Sequence, residues 1–530
     1  MGVPLYLEPR LTPRLVSLLA SGRFLHTLVA GLGSPLNVVL PDGIADNLGR
    51  FRSVYRTHRL SGQIFFAHKA NRSSALVRRL AATDAGLDVA SLGELRHALG
   101  AGFAPGRIMA TGPKNPEFLW LAARTGVLVH VDGRAELDEL AALVRRYALP
   151  PARVLLRLAG FTSEGSRLLT RPSRFGTPAG ELGDVLATLE RYPVELRPVG
   201  VGYHLDTTSL DEKAVALEGC VRAMDECRSR GLDPRIIDIG GGFGVSYLAD
   251  GEQWERYTTE LTRAVMGQRP ALTWRRHGYG LRHEAGTLRG SLALYPAHRP
   301  VAAEQYLDAL LSRPAPTLGR PLATLLLEGL YDLCTEPGRA LADQCGVTLA
   351  RVLEVRRTEN GERLVRLAAN ADDVALEEHG VLMDPVLVPA EDGRAPAADG
   401  PVGVLLAGNL CLEADMITRR TVFLPRLPHP GDLLAFANTA GYCMDFRAGE
   451  AQRQPVARKV AAWQDDEGER DDGAARAGRG EQDGLEAQDA EDGSGEAPWR
   501  WCLDEEYWPV AQYAPHHTAA RPGGHAGGGA

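Results

Sequence analysis

Lys69 is the first residue whose type and position suggest chemistry. It follows an apolar run typical of a buried strand, in the stretch Phe65-Phe66-Ala67-His68-Lys69-Ala70-Asn71. A lysine at the end of such a strand can be desolvated, which lowers its pKa and favours the free amine, a nucleophile toward aldehydes. Because surface lysines at strand ends are commoner than reactive ones, this position needs support from other residues.

A glycine-rich turn ends a second strand-like run. The stretch Asp238-Ile239-Gly240-Gly241-Gly242-Phe243-Gly244 contains three consecutive glycines. Backbone without side chains lets successive N–H groups converge on an oxyanion, and such a nest suits phosphate. A tight loop uses glycines equally often, so the prediction depends on what else shares this end of the strands.

A carboxylate and a guanidinium close a third run, in Glu336-Pro337-Gly338-Arg339. Near a pyridine nitrogen, a buried carboxylate stabilises the protonated ring and makes it a strong electron sink, while an arginine can pair with phosphate. A structural ion pair at a turn is the alternative interpretation.

The elements that must position these residues alternate between short apolar runs and longer amphipathic patterns, which predicts βα units around a parallel sheet. Eight repeats favour an α/β fold, a (β/α)8 barrel, whose active site lies at the carboxyl ends of the strands. The predicted helices include Ser73–Thr83, Asn115–Arg124, Ala135–Tyr147 and Ser209–Arg230. The predicted strands are Gln63–Ala67, Gly86–Ala90, Arg107–Thr111, Val127–Asp132, Arg153–Ala159, Arg197–Leu205, Arg235–Gly240 and Asp332–Glu336.

The chain divides into a barrel and flanking segments. We place the barrel at 51–340, with an insertion at about 267–314 in a Gly- and Arg-rich run too long for a βα loop. Short β-rich runs predict a second, mostly β domain at 341–463, to which residues 1–50 contribute a strand at Leu36–Leu40. The predicted strands of this domain are Thr348–Arg356, Arg363–Ala369, Val381–Pro389, Val402–Ala407 and Asp432–Ala437. Residues 464–530 are predicted to be a disordered tail, with a docking peptide near Trp499 as the alternative.

Composition argues against several classes of protein. The segment 465–496 has 13 acidic residues against three arginines, so the formal charge of −8 arises there and the rest of the chain is close to neutral. The chain has no basic stripe of the kind that predicts nucleic-acid binding. Seven cysteines without a CxxC pair argue against a disulfide framework or a zinc module, so no metal is predicted. Neither a membrane helix nor a signal peptide is apparent. We expect a cytoplasmic protein with a small-molecule partner.

The ordered set of motifs resembles the pyridoxal-phosphate enzymes of fold type III, which include ornithine, diaminopimelate and arginine decarboxylases. Any one motif can arise by chance, whereas the whole set in this order is specific. The residues within the motifs are most similar to those of diaminopimelate decarboxylases. The resemblance covers about 36–463 and implies an alanine racemase-like barrel with a β domain. Its motifs are Phe66–Asn71, Leu87–Ser91 with Glu94, Arg157, Ser173–Gly176, Tyr203-His204, Gly240–Gly244, Glu336–Arg339, Gly408–Asp415 and Gly441-Tyr442.

The resemblance implies roles for residues around one cofactor, pyridoxal 5′-phosphate. Lys69 would hold it as a Schiff base, His204 would stack on its ring, and Glu336 would pair with its pyridine nitrogen. Glu94 also fits a helix capping box with Ser91. The further residues that the resemblance assigns to the phosphate, the ring or the lysine are Asp88, Glu94, Arg157, Thr207, Gly241, Gly242, Arg339 and Tyr442.

Cys411 resembles the cysteine that family members contribute across a dimer interface to reprotonate the carbanion, which implies a homodimer with shared active sites. The usual acidic neighbour of that cysteine is Leu412 here, with Glu413 one place later as the candidate substrate-binding residue. Asp384 occupies the position of an amine-binding aspartate in ornithine-type relatives. Asp206 stands where the family has a glycine that lets phosphate approach, and Thr207 replaces the adjacent serine.

Decarboxylation of an amino acid, diaminopimelate-like or otherwise basic, is therefore the predicted reaction. An amino-acid racemase on the same fold is the rival enzyme, but racemases of this kind set a weaker partner than a carboxylate against the pyridine nitrogen, so Glu336 favours decarboxylation. The alternative that is not an enzyme is a relative that keeps the fold only to bind the cofactor or a partner. Retention of Lys69, His204, Glu336 and Cys411 argues against it.

Overall fold

Two short helices and a strand lead into the first helix of the barrel. They are α1 (Pro13–Ala20), α2 (Gly22–Leu32) and β1 (Leu36–Val39), followed by α3 (Pro41–Thr57). The computed structural model describes residues 4–162, 173–390, 400–464 and 498–509. Residues 1–3, 163–172, 391–399, 465–497 and 510–530 lie outside the described residues, and they include most of the predicted disordered tail.

Eight parallel strands close into a barrel, which confirms the predicted fold. Each predicted strand is present within two residues at either end, and β5 pairs with β6 to close the ring. A two-residue strand, β7 (Thr177–Pro178), pairs with β6 outside the ring. The barrel strands are β2 (Gly62–Ala67), β3 (Gly86–Val89), β4 (Ile108–Ala110), β5 (Leu128–Val131), β6 (Ala152–Ala159), β8 (Leu196–Tyr203), β9 (Ile236–Asp238) and β12 (Asp332–Thr335).

Helices surround the barrel, and their ends follow the capping residues in the sequence. Asn115 accepts a hydrogen bond from Phe118 N at 2.9 Å ahead of Pro116, and Gly126 ends the same helix at φ 79°. The helices are α4 (Ser74–Ala81), α5 (Leu92–Gly100), α6 (Pro116–Thr125), α7 (Arg134–Arg146), α8 (Leu182–Leu189), α9 (Leu210–Ser229), α10 (Gly251–Val265), α11 (Ala303–Ser312) and α12 (Leu322–Glu328).

The predicted insertion contains a hairpin and reaches the β domain. Strands β10 (Leu281–Glu284) and β11 (Thr287–Gly290) pair with each other, and Tyr295 N donates to Gly380 O at 2.9 Å. Helix α11 packs against α3, α9 and α12, so it belongs to the ring of barrel helices. The extra chain therefore ends before α11 rather than at 314.

The second domain is a nine-stranded sheet, which agrees with the mostly β domain that the short β-rich runs predicted. Its order is β17-β16-β14-β13-β1-β19-β20, with β18 against β13 and β15. Strand β1 pairs antiparallel with β13 and parallel with β19, which confirms the N-terminal contribution. The strands are β13 (Gly346–Arg357), β14 (Arg363–Leu367), β15 (Val386–Val388), β16 (Val402–Ala407), β17 (Met416–Leu424), β18 (Leu433–Ala437), β19 (Arg458–Gln464) and β20 (Trp499–Leu503).

The prediction of disorder throughout 464–530 is wrong for residues 498–509. Gln464 belongs to β19, and β20 adds to it as the edge strand, with Ala462 opposite Trp501. The aromatic residues after the acidic segment dock onto the sheet, as the alternative interpretation held.

Among the described residues, no single helix is long and apolar enough to cross a membrane. Helices α1 and α2 pass that test of length and composition only as a pair, and they meet at an angle of 70°.

Candidate active site

A cavity of about 740 Å³ opens at the carboxyl ends of the barrel strands. The residues that the sequence placed at four different strand ends meet in it, as the geometry of a βα barrel requires. Its lining includes Lys69, His204, Thr207, Gly241, Gly242, Glu336, Arg339 and Tyr442.

Lys69 lies in a single helical turn, His68–Ala70, directly after β2. The backbone there is fixed from the β domain, since Tyr442 N donates to Ala70 O at 2.8 Å. Asn71 reaches the same loop, with its side-chain amide 2.9 Å from Ala440 O. Lys69 is thus held at the junction of the two domains.

The pKa of Lys69 is raised, and the expectation of a lowered pKa is wrong. Burial does act to lower it, but the carboxylates of Asp88 and Glu336 outweigh burial. Asp88 lies fully buried in β3, where it accepts a hydrogen bond from the Thr111 hydroxyl. Burial and the nearby Glu336 raise the pKa of Asp88 to about 7. Sequence alone could not show this balance, because it depends on carboxylates from two other strands.

Glu336 is buried at the end of β12 between two histidines. His204 Nδ1 lies 3.4 Å from its Oε2, and His130 Nδ1 lies 3.8 Å from its Oε1. Although burial opposes ionisation, these histidines hold the pKa of Glu336 well below its ordinary value. The side chain is therefore a carboxylate directed at the cavity.

His130 and Asp238 complete this buried group, and the sequence analysis gave neither a role. His130 Nδ1 is 3.9 Å from Asp238 Oδ2 in the barrel interior. Burial, followed by the charge of Glu336, raises the pKa of Asp238 well above its ordinary value, and burial lowers the pKa of His130. The sequence could have indicated them, because both lie at positions of β5 and β9 whose side chains point into the barrel.

The glycine turn after β9 leaves no room for side chains. A Cβ on Gly240 would lie 2.6 Å from Tyr203 O, and one on Gly241 would lie 2.8 Å from Glu336 O. Gly240 and Gly242 have φ values of 63° and 83°, which glycine adopts without strain. The bare backbone therefore faces the cavity, as an anion nest requires.

Arg339 and Tyr442 close the opposite side of the nest. Arg339 Nη1 donates to the Tyr247 hydroxyl at 2.7 Å, and its guanidinium lies 5.4 Å from the centre of the Tyr442 ring. Thr207 also lines the cavity, beside Asp206, and its hydroxyl accepts from Ser209 N at 3.0 Å. The departure at Asp206 thus places a carboxylate group in the same rim.

Lys213 is a residue that the sequence analysis missed. It lies on α9 with no exposed surface, and its ammonium group donates to Gly241 O from behind the nest. The rings of Phe243 and Tyr306 lie 4.9 and 5.5 Å from its Nζ. Burial lowers the pKa of Lys213 to about 7. The sequence could have drawn attention to Lys213, because lysine is rare in this chain, which contains only four.

Arg157 and Glu94 lie outside the cavity lining but support the site. Arg157 Nη1 is 3.4 Å from Asp132 Oδ1. Glu94 accepts from Ala90 N at 2.6 Å and lies 3.4 Å from His68, the neighbour of Lys69. Ser91 caps the same helix at Glu94 N, so Glu94 serves both the helix and the lysine loop.

Asp384 does not line the cavity, which argues against its predicted amine-binding role. Its carboxylate is buried, binds Arg420 Nη2 at 2.6 Å and accepts from Leu7 N at 2.8 Å. Without Asp384, the buried guanidinium of Arg420 would be uncompensated. Asp384 is a structural residue that ties the N-terminal segment to β17.

Cys411 and Glu413 are exposed on the β domain and do not line the cavity of their own chain. Glu413 pairs with Arg275 at 2.7 Å, and Cys411 N donates to Gln452 at 2.9 Å. Their predicted roles require a second copy of the chain.

Comparisons with known proteins agree with this geometry. Residues 44–276 match the family model described as the pyridoxal-binding domain of pyridoxal-dependent decarboxylases. The chain is 32% identical over 453 residues to the uncharacterized protein y4yA of Sinorhizobium fredii, covering 84% of this chain and 92% of that protein. It is 25% identical over 439 residues to diaminopimelate decarboxylase of Methanothermobacter thermautotrophicus, covering 80% and 86%.

Solved structures share the two-domain fold. The diaminopimelate decarboxylase of Helicobacter pylori complexed with L-lysine has a TM-score of 0.60 at 18% identity, covering 82% of this chain and 93% of that one. The arginine decarboxylase of Paramecium bursaria Chlorella virus has a TM-score of 0.60 at 18% identity, covering 83% and 98%.

Proposed function

The chain belongs to the pyridoxal-dependent decarboxylase family, and from this premise we propose that it removes the carboxylate of an α-amino acid in the cavity around Lys69. The observation that carries the proposal is the convergence of Lys69, Glu336 and the Gly240–Gly242 turn on that one cavity. An amine, an anionic partner for a pyridine nitrogen and a phosphate nest are the three groups that pyridoxal 5′-phosphate needs.

The residues present fit this cofactor. Gly241 and Gly242 present backbone without side chains to the cavity, and Arg339 and Thr207 line the same rim. Lys69 would bind the aldehyde, the nest would hold the phosphate, and Glu336 would bind the ring nitrogen. When bound, pyridoxal 5′-phosphate supplies an electron sink for the electron pair of the bond broken at Cα.

Glu336 contributes the charge that selects this chemistry. Because His130 and His204 keep it ionised, it can hold a proton on a ring nitrogen rather than take that proton itself. Asp88 and Glu336 together stabilise the ammonium form of Lys69, so that a proton must leave Nζ before the amine can act as a nucleophile.

The substrate and the assembly belong to the same proposal. The relatives named as diaminopimelate and ornithine decarboxylases support a substrate with a distal polar group. Exposure of Cys411, beside Leu412 at 59%, supports a homodimer in which Cys411 and Glu413 reach the cavity of the partner subunit. We place the enzyme in the cytoplasm.

The test is a panel of amino acids incubated with the purified protein and scored for carbon dioxide. We expect release from one or a few substrates with a distal amine or carboxylate. Lys69→Arg keeps the positive charge but has no amine for the aldehyde, so covalent attachment of the cofactor and carbon dioxide release should both be lost. Changed chirality of the amino acid without gas release would establish the racemase instead.

A further inference from the structure

The chain between β11 and α11 runs along the glycine turn and brings a second guanidinium group to the cavity. Tyr247 N donates to Ala297 O at 2.7 Å, and Val245 N donates to the Tyr295 hydroxyl at 2.7 Å. Ala303 N donates to Gly244 O at 2.7 Å. These bonds fix residues 295–303 against the loop that follows the nest.

Arg299 is the charged residue of this segment that lines the cavity. Its side chain packs directly on Gly244, where an added Cβ would lie 2.8 Å from its Cδ and its Nε. Its Nη1 is 3.4 Å from the Thr208 hydroxyl. The buried Nε atom packs against Gly244 and has no hydrogen-bond partner among the described residues. Within the same described part of the chain, the contact with Thr208 is the one hydrogen bond of this guanidinium, so its remaining terminal N–H groups are available to a ligand in the cavity.

Two guanidinium groups are held on one tyrosine ring at this edge of the cavity. The Cζ atoms of Arg299 and Arg339 each lie 4.7 Å from the centre of the Tyr295 ring. In the described parts of the chain, neither arginine has a carboxylate within ion-pair distance. Two guanidinium groups that line one cavity and contact the same ring, neither of them in an ion pair, favour binding of an anionic ligand.

We propose that Arg299 binds the phosphate group of the cofactor, together with Arg339 and the N–H groups of the glycine turn. A phosphate carries close to two negative charges at neutral pH and accepts charge-assisted hydrogen bonds from arginine. The second arginine offsets Asp206, which replaces a glycine in the same rim. The additional chain between β9 and α11 thus supplies a cofactor-binding residue.

This inference rests on cofactor binding and not on which amino acid is consumed. The test compares the affinities of the cofactor-free full-length protein for pyridoxal 5′-phosphate, for pyridoxal and for inorganic phosphate, measured by absorbance titration and by competition. The variant is Arg299→Gln. The control is Arg289→Gln, which makes the same charge change at an exposed position of β11.

We expect Arg299→Gln to weaken pyridoxal 5′-phosphate binding by about ten- to hundredfold, the range for a lost charged hydrogen bond. Competition by inorganic phosphate should weaken as well, whereas pyridoxal affinity and all affinities of the Arg289 variant should match the wild type. An equal loss for pyridoxal would show that Arg299 only supports the loop, and would overturn the proposal. Unchanged cofactor affinity with a raised substrate KM would assign Arg299 to a substrate anion, and would overturn it too.

Discussion

Glu336, Asp238 and His130 show how one negative charge is kept in the barrel interior. Their nearest ligand atoms all lie within 4.8 Å of one another, a spacing at which two ionised carboxylates repel. The raised pKa of Asp238 and the lowered pKa of Glu336 divide the pair into a neutral acid and a carboxylate. The charge therefore resides on the residue that faces the cavity.

The buried Lys213 should make the stability of the protein depend on pH. Its pKa of about 7 lies below the value of 10.5 for a lysine in an unfolded chain. Between these values the unfolded chain binds a proton that the folded chain does not, so this group makes stability rise from pH 7 toward 10. We expect the melting temperature of cofactor-free Lys213→Met to lack that rise.

Glu336 is the one side-chain charge that raises the pKa of Lys213, while Gly241 O, Phe243 and Tyr306 surround its ammonium group. Thermal unfolding of the wild type and of Lys213→Met at several pH values measures the difference. Lys459→Met is the control, because that ammonium binds Asp445 and lies on the β domain. If the melting temperatures of the wild type and of Lys213→Met depended on pH in the same way, the lowered pKa of Lys213 would be contradicted.

At the scale of elements, strand β20 and the turn after it clamp the helix that follows Lys69. Asp504 accepts hydrogen bonds from Ser74 N at 2.7 Å, from Ala75 N at 3.2 Å and from the Ser73 hydroxyl, at the N-terminus of α4. Arg78 of α4 donates to Glu505 O at 2.6 Å. The C-terminal segment thus satisfies helix donors that lie far from it in sequence.

We expect Asp504→Ala to lower the free energy of unfolding by about 1–2 kcal/mol, as for other losses of an N-terminal helix cap. Urea unfolding measures this change. Glu505→Ala is the control, because that exposed residue contacts α4 only through its backbone carbonyl. Equal stability of the two variants would show that the clamp does not hold α4.

At the scale of the whole molecule, the proposed acid Cys411 lies on the surface, whereas the proposed nucleophile Lys69 lies in the cavity. If two chains share their sites, Lys69→Ala and Cys411→Ala homodimers are each inactive, because every site lacks one group. We expect activity to return when the two variants are mixed and allowed to exchange subunits, since one site then combines an intact Lys69 with Cys411 of the partner subunit.

Carbon dioxide release by the mixture measures this recovery, and size-exclusion chromatography measures the assembly. Cys502→Ala, at a half-buried cysteine of β20, should remain active alone. A monomeric and active wild type would contradict the shared site.

The sequence by itself determined the barrel and most of its rim. Hydrophobic periodicity depends on local burial, so β2 and the seven other barrel strands were predictable. Lys69, the glycine turn and Glu336 could then be placed at the carboxyl ends of their strands. Strand β17 was missed because Arg419 and Arg420 interrupt its apolar alternation. Arg420 tolerates burial only because Asp384, distant in sequence, pairs with it.

Tertiary structure alone decided the electrostatics and the distant contacts. The raised pKa of Lys69 depends on Asp88 and Glu336, which other strands bring near it. Arg299 reaches the cavity because its segment hydrogen-bonds to the loop after the nest, and β20 folds because β19 offers it an edge. A single sequence shows which groups are present, whereas charge coupling and strand pairing act across space between residues that the sequence keeps apart.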